Sequence, residues 1–123
     1  MPVIMLMTAC VEIEGNLWII ENRSSPKIYF NVSDQYPDTL LPQTNKYVVP
    51  LNPNSENVDR CSRKWEIQFS REYPKDTMTI FFFDAYTIEK TDWDIVRRDY
   101  KILERRIYSK QDLIESDWRI VYP

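Results

Sequence analysis

The sequence predicts an α+β domain with a largely antiparallel sheet and two or three short helices, with a helix-decorated β-sandwich as the alternative. Three observations lead to this fold class. Apolar and polar residues alternate in several short stretches, as in half-buried strands. One continuous apolar run, "IFFF", fits a strand covered on both faces. Apolar residues also recur at helical spacing between these stretches. The chain of 123 residues is 43% hydrophobic and 14% aromatic, which is typical of one globular domain.

The first two predicted strands are "NLWIIENRSS", residues 16–25, and "KIYFNVS". In the second, Ile28, Phe30 and Val32 alternate with polar or amphipathic residues, which indicates one buried face. The polar break from Asn22 to Pro26 has the composition of a turn. We therefore expect the two strands to form a hairpin.

The middle of the chain predicts a helix followed by the central strand. Trp65, Phe69 and Tyr73 are spaced four residues apart and share one face of a helix, which Pro74 ends. The strand is "DTMTIFFFDAY", and its apolar run from Ile80 to Phe83 belongs at the centre of a sheet.

The last third of the chain predicts two further helices and a terminal strand. Thr91 with Asp94, and Ser109 with Asp112, have the spacing of a capping box at a helix N-terminus. The segment "KILERRIY" between them fits a strand or a continuing helix equally well. The closing "WRIVYP" alternates as a strand does.

Residues 34–59 predict a long loop that packs over the sheet. The segment contains four prolines, which exclude a regular helix and leave "KYVV" as the one plausible strand. Its apolar residues would anchor it, and long ordered loops are often functional. We therefore expect any binding surface here. The anchors are Tyr36, Leu40, Leu41, Tyr47, Val48 and Val49.

Composition argues against most enzyme classes that a sequence can reveal. There is no histidine, the commonest general base and zinc ligand, and Gly15 is the one glycine, so no glycine-rich phosphate loop exists. The net charge of −3 gives no global attraction to nucleic acid. We expect no catalytic residue, no metal, no cofactor and no nucleic-acid partner.

The first ten residues, "MPVIMLMTAC", have the character of an export signal that ends at a cysteine. Met7-Thr8-Ala9-Cys10 resembles the lipobox of bacterial lipoproteins, in which the cysteine is acylated and the peptide is cut before it. The resemblance implies a signal remnant at 1–9, lipidation of Cys10, a tether at 10–15 and one globular domain at 16–123. The alternative is a first β-strand with a buried Cys10.

Cys61 is the second cysteine of the chain. If Cys10 carries lipid, Cys61 is a lone thiol, and if Cys10 is free, a Cys10–Cys61 disulfide is conceivable in an oxidising compartment. Arg60 and Arg63 flank Cys61 and would lower its pKa if they pointed the same way. With no histidine to activate it, a partly buried thiol at the start of a helix is the better interpretation.

Most of residues 16–123 also resemble a family of short, uncharacterised lipoproteins of Gram-negative gut anaerobes. The matching segments are "YPDT", "KW", "DTMTIFFFDAYTIEK", "IVRRDYKILERR" and "DLIESDWRIVYP". The resemblance implies a membrane partner through an N-terminal lipid anchor, at the outer membrane or the periplasmic face. It implies no activity. A cytoplasmic location goes with the unlipidated alternative.

Three functional hypotheses remain from the sequence. The first is an envelope-tethered, non-catalytic interaction or accessory module that binds a protein or a glycan. The second is an acidic, immunity-type inhibitor of a toxin, and the third is a small carboxylate-dependent hydrolase. The aromatic residues Trp65, Trp93 and Trp118 fit core positions better than a sugar platform. The arginines of "IVRRDYKILERR" are interleaved with acidic residues and fit a salt-bridged face better than a polyanion site.

Overall fold

The protein is described by a computed structural model, which covers residues 17–33, 41–45, 47–60, 64–73 and 76–123. These ranges contain seven strands and four helices. The strands are β1 Leu17–Asn22, β2 Ile28–Ser33, β3 Val49–Leu51, β4 Ser55–Arg60, β5 Thr77–Asp84, β6 Glu104–Ser109 and β7 Arg119–Tyr122. The helices are α1 Trp65–Glu72, α2 Ala85–Lys90, α3 Trp93–Asp99 and α4 Lys110–Glu115. The predicted α+β class is confirmed.

The strands form two sheets. The first has the order β4-β1-β7, in which β1 pairs antiparallel with β4 and parallel with β7. The second has the order β3-β2-β5-β6 and is antiparallel throughout. Buried side chains from both sheets and from α1 and α4 form one continuous core, so the sheets pack with their apolar faces together. Two sheets packed face to face are also the layers of the β-sandwich, which the sequence allows as the alternative fold.

Strand β5 is covered on both faces, as its apolar run predicts. Met78, Ile80 and Phe82 belong to the main core, while Phe81 and Phe83 belong to a second cluster with Leu41 and Val96. This second cluster lies on the other face of the sheet, because successive side chains of a strand point to opposite faces. Helices α2 and α3 cover it.

The predicted hairpin between the first two strands is wrong. Strands β1 and β2 belong to different sheets, and residues 23–27 cross from one sheet to the other. Fully buried Asn22 fixes this crossing: its amide donates to the carbonyls of Pro26 at 3.0 Å and Leu51 at 3.1 Å, and its Oδ1 accepts from the Ser24 N–H at 2.9 Å. The crossing lets the apolar faces of β1 and β2 face each other across one core.

The sequence predicts three of the four helices but not α2, because the predicted strand "DTMTIFFFDAY" runs into the first two residues of that helix. Trp65, Phe69 and Tyr73 are all buried along α1, as predicted. Ser109 and Asp112 form the predicted capping box of α4. The predicted box at Thr91 is wrong, because α3 begins at Trp93 with Asp92 as its N-cap. The ambiguous "KILERRIY" contains strand β6.

The segment 34–59 contains more strand than its prolines suggest. Besides β3, which overlaps the predicted "KYVV", the chain forms β4 along "SENVDR". Sequence analysis missed β4 because this strand lies at the edge of its sheet and buries no apolar side chain. Tyr36 and Leu40, two of the predicted anchors, lie outside the described residues.

Within the described residues, no helix is long and apolar enough to span a bilayer. The predicted signal remnant and tether, residues 1–15, also lie outside the described residues.

Candidate functional site

A cleft of about 320 Å³ opens from the main core at the β4 side of the molecule. Both sheets and α1 contribute to its lining. The volume is at the lower end of the range of small-molecule sites in proteins. Its lining residues are Trp18, Ile20, Phe30, Val32, Tyr47, Val49, Asn57, Asp59, Trp65, Glu72 and Tyr73.

The floor of the cleft is aromatic and apolar. Trp18 is 6% exposed and Trp65 5%, and their rings meet edge to face at 77°, with centroids 5.2 Å apart. Phe30, Tyr73 and Ile20 are buried beside them. The two buried indoles are therefore held nearly perpendicular to each other at the base of the cleft.

The rim of the cleft is polar, and β4 supplies much of it. Asp59 pairs with Trp18 and Asn57 pairs with Ile20 in the β1–β4 register. Directly opposite residues of an antiparallel pair point to the same face. Asn57 and Asp59 are thus the core-facing residues of β4, while Val58 between them points outward and is 43% exposed. This reverses the pattern of an ordinary edge strand, whose apolar residues face the core.

The rim is also negatively charged. Asp59 and Glu72 are exposed, and neither forms an ion pair with another described residue. Among the described residues of the lining there is no lysine and no arginine. Tyr47, which is 68% exposed, completes the rim from the segment before β3.

The two floor indoles carry unused hydrogen-bonding groups. The Nε1 atoms of Trp18 and Trp65 are buried, and the described part of the chain offers neither of them an acceptor. Buried donors are usually paired, because an unpaired one loses its hydration without compensation. Trp93 shows the usual case, since its Nε1 donates to the carbonyl of Pro42 at 2.9 Å.

The chain was compared with protein-family models, curated proteins and solved structures. None of them matches.

The outer face of the β4-β1-β7 sheet carries a compensated charge network. Arg119 donates to Glu21 at 2.7 Å and to Glu56 at 3.0 Å, and Arg23 donates to Glu21 at 2.8 Å. The hydrogen bond from Arg23, together with that from Arg119, lowers the pKa of Glu21 despite its partial burial. The acidic side chains of this face are thus paired.

A second polar cluster lies where β6 approaches β7. Arg106 sits 5.1 Å from the ring centroid of Phe82 and 5.9 Å from that of Tyr122, and it donates to the Val121 carbonyl at 2.8 Å. Its ion pair with Glu104 raises its pKa. Burial raises the pKa of the Tyr122 hydroxyl. This cluster is internally satisfied and closes the sandwich on that side.

Within the described residues, the candidate sites that the sequence suggests lie in different parts of the molecule, and one of them contributes to the cleft. The segment 34–59 contributes four residues to the cleft, Tyr47, Val49, Asn57 and Asp59, but sequence analysis named only the first two. The arginine pattern does not form one patch: Arg98 pairs with Asp99, and Arg106 faces the main core. Cys10 and Cys61 lie outside the described residues. Within those residues no three Cys, Asp or Glu side chains are grouped to hold a metal ion.

Proposed function

We propose that the protein is a non-catalytic binding module, held at the bacterial envelope by lipid on Cys10, and that the cleft between β4 and α1 is its ligand site. The observation that carries the binding function is the combination of an aromatic floor with a polar rim. Ligand sites are concave, largely apolar and equipped with a few polar groups that orient the ligand. The lipid anchor is supported by the lipobox-like Met7-Thr8-Ala9-Cys10.

The position of the carboxylates supports binding rather than hydrolysis. A carboxyl group that acts as a general acid near neutral pH has to be shielded from water. Asp59 and Glu72 are both exposed at the rim. On the outer face, the described carboxylates Glu21 and Glu56 are paired with Arg23 and Arg119, which does not favour the concentrated acidic field that an immunity-type inhibitor would use.

Binding can be tested with the four tryptophans of the chain. The indole N–H signals of ¹⁵N-labelled protein are followed during titration with choline, its neutral isostere 3,3-dimethylbutan-1-ol, Nα-acetyl-lysine N-methylamide and cellobiose. We expect at least one probe to shift the signals of Trp18 and Trp65 saturably. Trp93 and Trp118, which do not line the cleft, serve as internal controls. Absence of any saturable shift up to about 20 mM, well above a weak dissociation constant of about 1 mM, contradicts the proposal.

The anchor has a separate test. The gene with its natural upstream codons is expressed in a lipoprotein-competent Gram-negative host, beside a Cys10→Ala variant, and intact masses are measured from the membrane fraction. We expect a mature chain that begins at Cys10 and is heavier by acyl groups, with the variant unprocessed. A soluble, unmodified chain that retains Met1 contradicts the anchor and leaves the binding function unaffected.

A further inference from the structure

We infer that the cleft selects an alkylammonium group. This inference rests on the proposed binding function and names the ligand chemistry of the same site. Its basis is the charge of the rim combined with the aromatic character of the floor.

The first step is the aromatic floor. Five of the lining residues are aromatic, and the indoles of Trp18 and Trp65 stand nearly perpendicular, at 77°. Aromatic faces attract cations through the ring quadrupole, and tryptophan does so most strongly. Both indoles line the cleft, and their rings differ in orientation, so a group bound there is next to two differently oriented aromatic rings.

The second step is the charge of the rim. Asp59 and Glu72 are contributed by different elements, β4 and α1, and both line the same cleft. No described cation pairs with either carboxylate, and none lines the cleft. This differs from the outer face of the same sheet, where Arg119 compensates Glu21 and Glu56. The described lining of the cleft thus carries two carboxylates and no basic side chain, a charge that a bound cation would neutralise.

The third step is the choice between a cation and a neutral ligand. A neutral sugar can stack on tryptophan, and its hydroxyls can hydrogen-bond to Asn57 and to the carboxylates, but it carries no charge that would balance Asp59 and Glu72. An alkylammonium group can pack its methyl or methylene groups on the rings while its charge faces the rim, although it offers no acceptor to the buried Nε1 donors of Trp18 and Trp65. Such a group can belong to a free small molecule or to the side chain of a lysine.

The test compares the four probes by their dissociation constants, measured from the Trp18 and Trp65 indole signals. We expect choline or the lysine amide to bind at least about tenfold more tightly than 3,3-dimethylbutan-1-ol, which has the shape of choline without its charge. Tighter binding of choline identifies a free small molecule as the source, and tighter binding of the lysine amide identifies a polypeptide side chain. Either result supports the inference.

Charge-neutralising variants provide the second measurement. Asp59→Asn and Glu72→Gln keep the side-chain shape, and each should weaken binding of the cation about threefold at low salt. Asp94→Asn on α3 is the matched control and should leave affinity unchanged. The inference is overturned if cellobiose or the neutral isostere binds as tightly as the cations, or if the two rim variants bind like wild type. In those cases a probe still binds in the cleft, and the proposed binding function stands. If the binding function itself is wrong, none of the four probes shifts the indole signals.

Discussion

Trp18 and Asp59 lie directly opposite each other across the β1–β4 pair and point to the same, core-facing side of the sheet. A buried indole and an exposed carboxylate thus share one face, although a strand that merely closed a core would place an apolar side chain at position 59. The chain leaves this position polar, so the sandwich stays open beside β4 and the cleft exists. Natural proteins often give up stability where a site is needed.

Replacing the carboxylate should therefore stabilise the protein. Asp59→Thr introduces a residue with a high strand propensity at a position without an ion-pair partner among the described residues. We expect the free energy of unfolding to rise by up to about 1 kcal/mol. Urea denaturation measures the change. Glu56→Thr on the outward face of the same strand is the control, because it removes the 3.0 Å ion pair with Arg119 and should bring no gain. A less stable Asp59→Thr protein would show that Asp59 supports the fold.

Asn22 should be among the most sensitive polar residues of the fold. Asn22→Asp keeps the shape but removes the amide donors that reach the carbonyls of Pro26 and Leu51. It also buries a carboxyl group with no described cation beside it. We expect a loss of about 2–4 kcal/mol in the free energy of unfolding. Asn52→Asp, at an exposed position, should change stability by less than about 0.5 kcal/mol. Equal effects of the two substitutions would contradict the role of Asn22.

Arg106 should stabilise the β6–β7 side of the sandwich by its planar guanidinium. Arg106→Lys keeps the charge but loses the stacking on Phe82 and Tyr122 and the fork of donors that reaches Val121. We expect a cost of about 1–2 kcal/mol. The neighbouring Arg105→Lys changes the same residue type on the exposed face of β6 and should be neutral. Thermal and urea denaturation measure the stability of both variants. Equal stability of Arg106→Lys and Arg105→Lys would refute the stacking role of Arg106.

The outer charge network should make part of the stability depend on pH. Arg23 and Arg119 hold the pKa of Glu21 below its ordinary value, so the unfolded chain binds a proton at Glu21 before the folded protein does. The stability that Glu21 contributes is therefore fully present above its ordinary pKa. It is lost as the pH falls through the lowered pKa of Glu21 in the folded protein. Between about pH 6 and about pH 3, wild type should lose more stability than Glu21→Gln. A wild-type slope in Glu21→Gln would contradict this expectation.

Periodicity in the sequence was enough to predict the elements that bury a regular apolar face. The i, i+4, i+8 spacing of Trp65, Phe69 and Tyr73 identified α1, and the apolar run at Ile80–Phe83 identified the doubly covered β5. These two patterns can be recognised in the sequence because both elements form by burying their own apolar side chains.

Other parts of the fold depend on contacts that the sequence does not encode locally. Strand β4 has no apolar face, and its formation follows from pairing with β1, which is distant in the chain. The hairpin prediction failed because a short turn and a crossing between sheets have the same local composition. What distinguishes them is the long-range bond from Asn22 to Leu51. Asp59 and Glu72 line the same cleft. This could not be predicted without knowing the pairing of β4 with β1 and the crossing between the sheets.

The most direct test of the binding cleft uses two adjacent positions of β4 that point to opposite faces. Asn57→Trp places an indole inside the cleft, while Val58→Trp places the same side chain on the outer face. Dissociation constants of the four probes are measured for both variants by isothermal titration calorimetry, after thermal denaturation has shown that both are folded. The cleft predicts that Asn57→Trp loses binding and that Val58→Trp binds like wild type. Equal binding by the two variants would contradict a ligand site between β4 and α1.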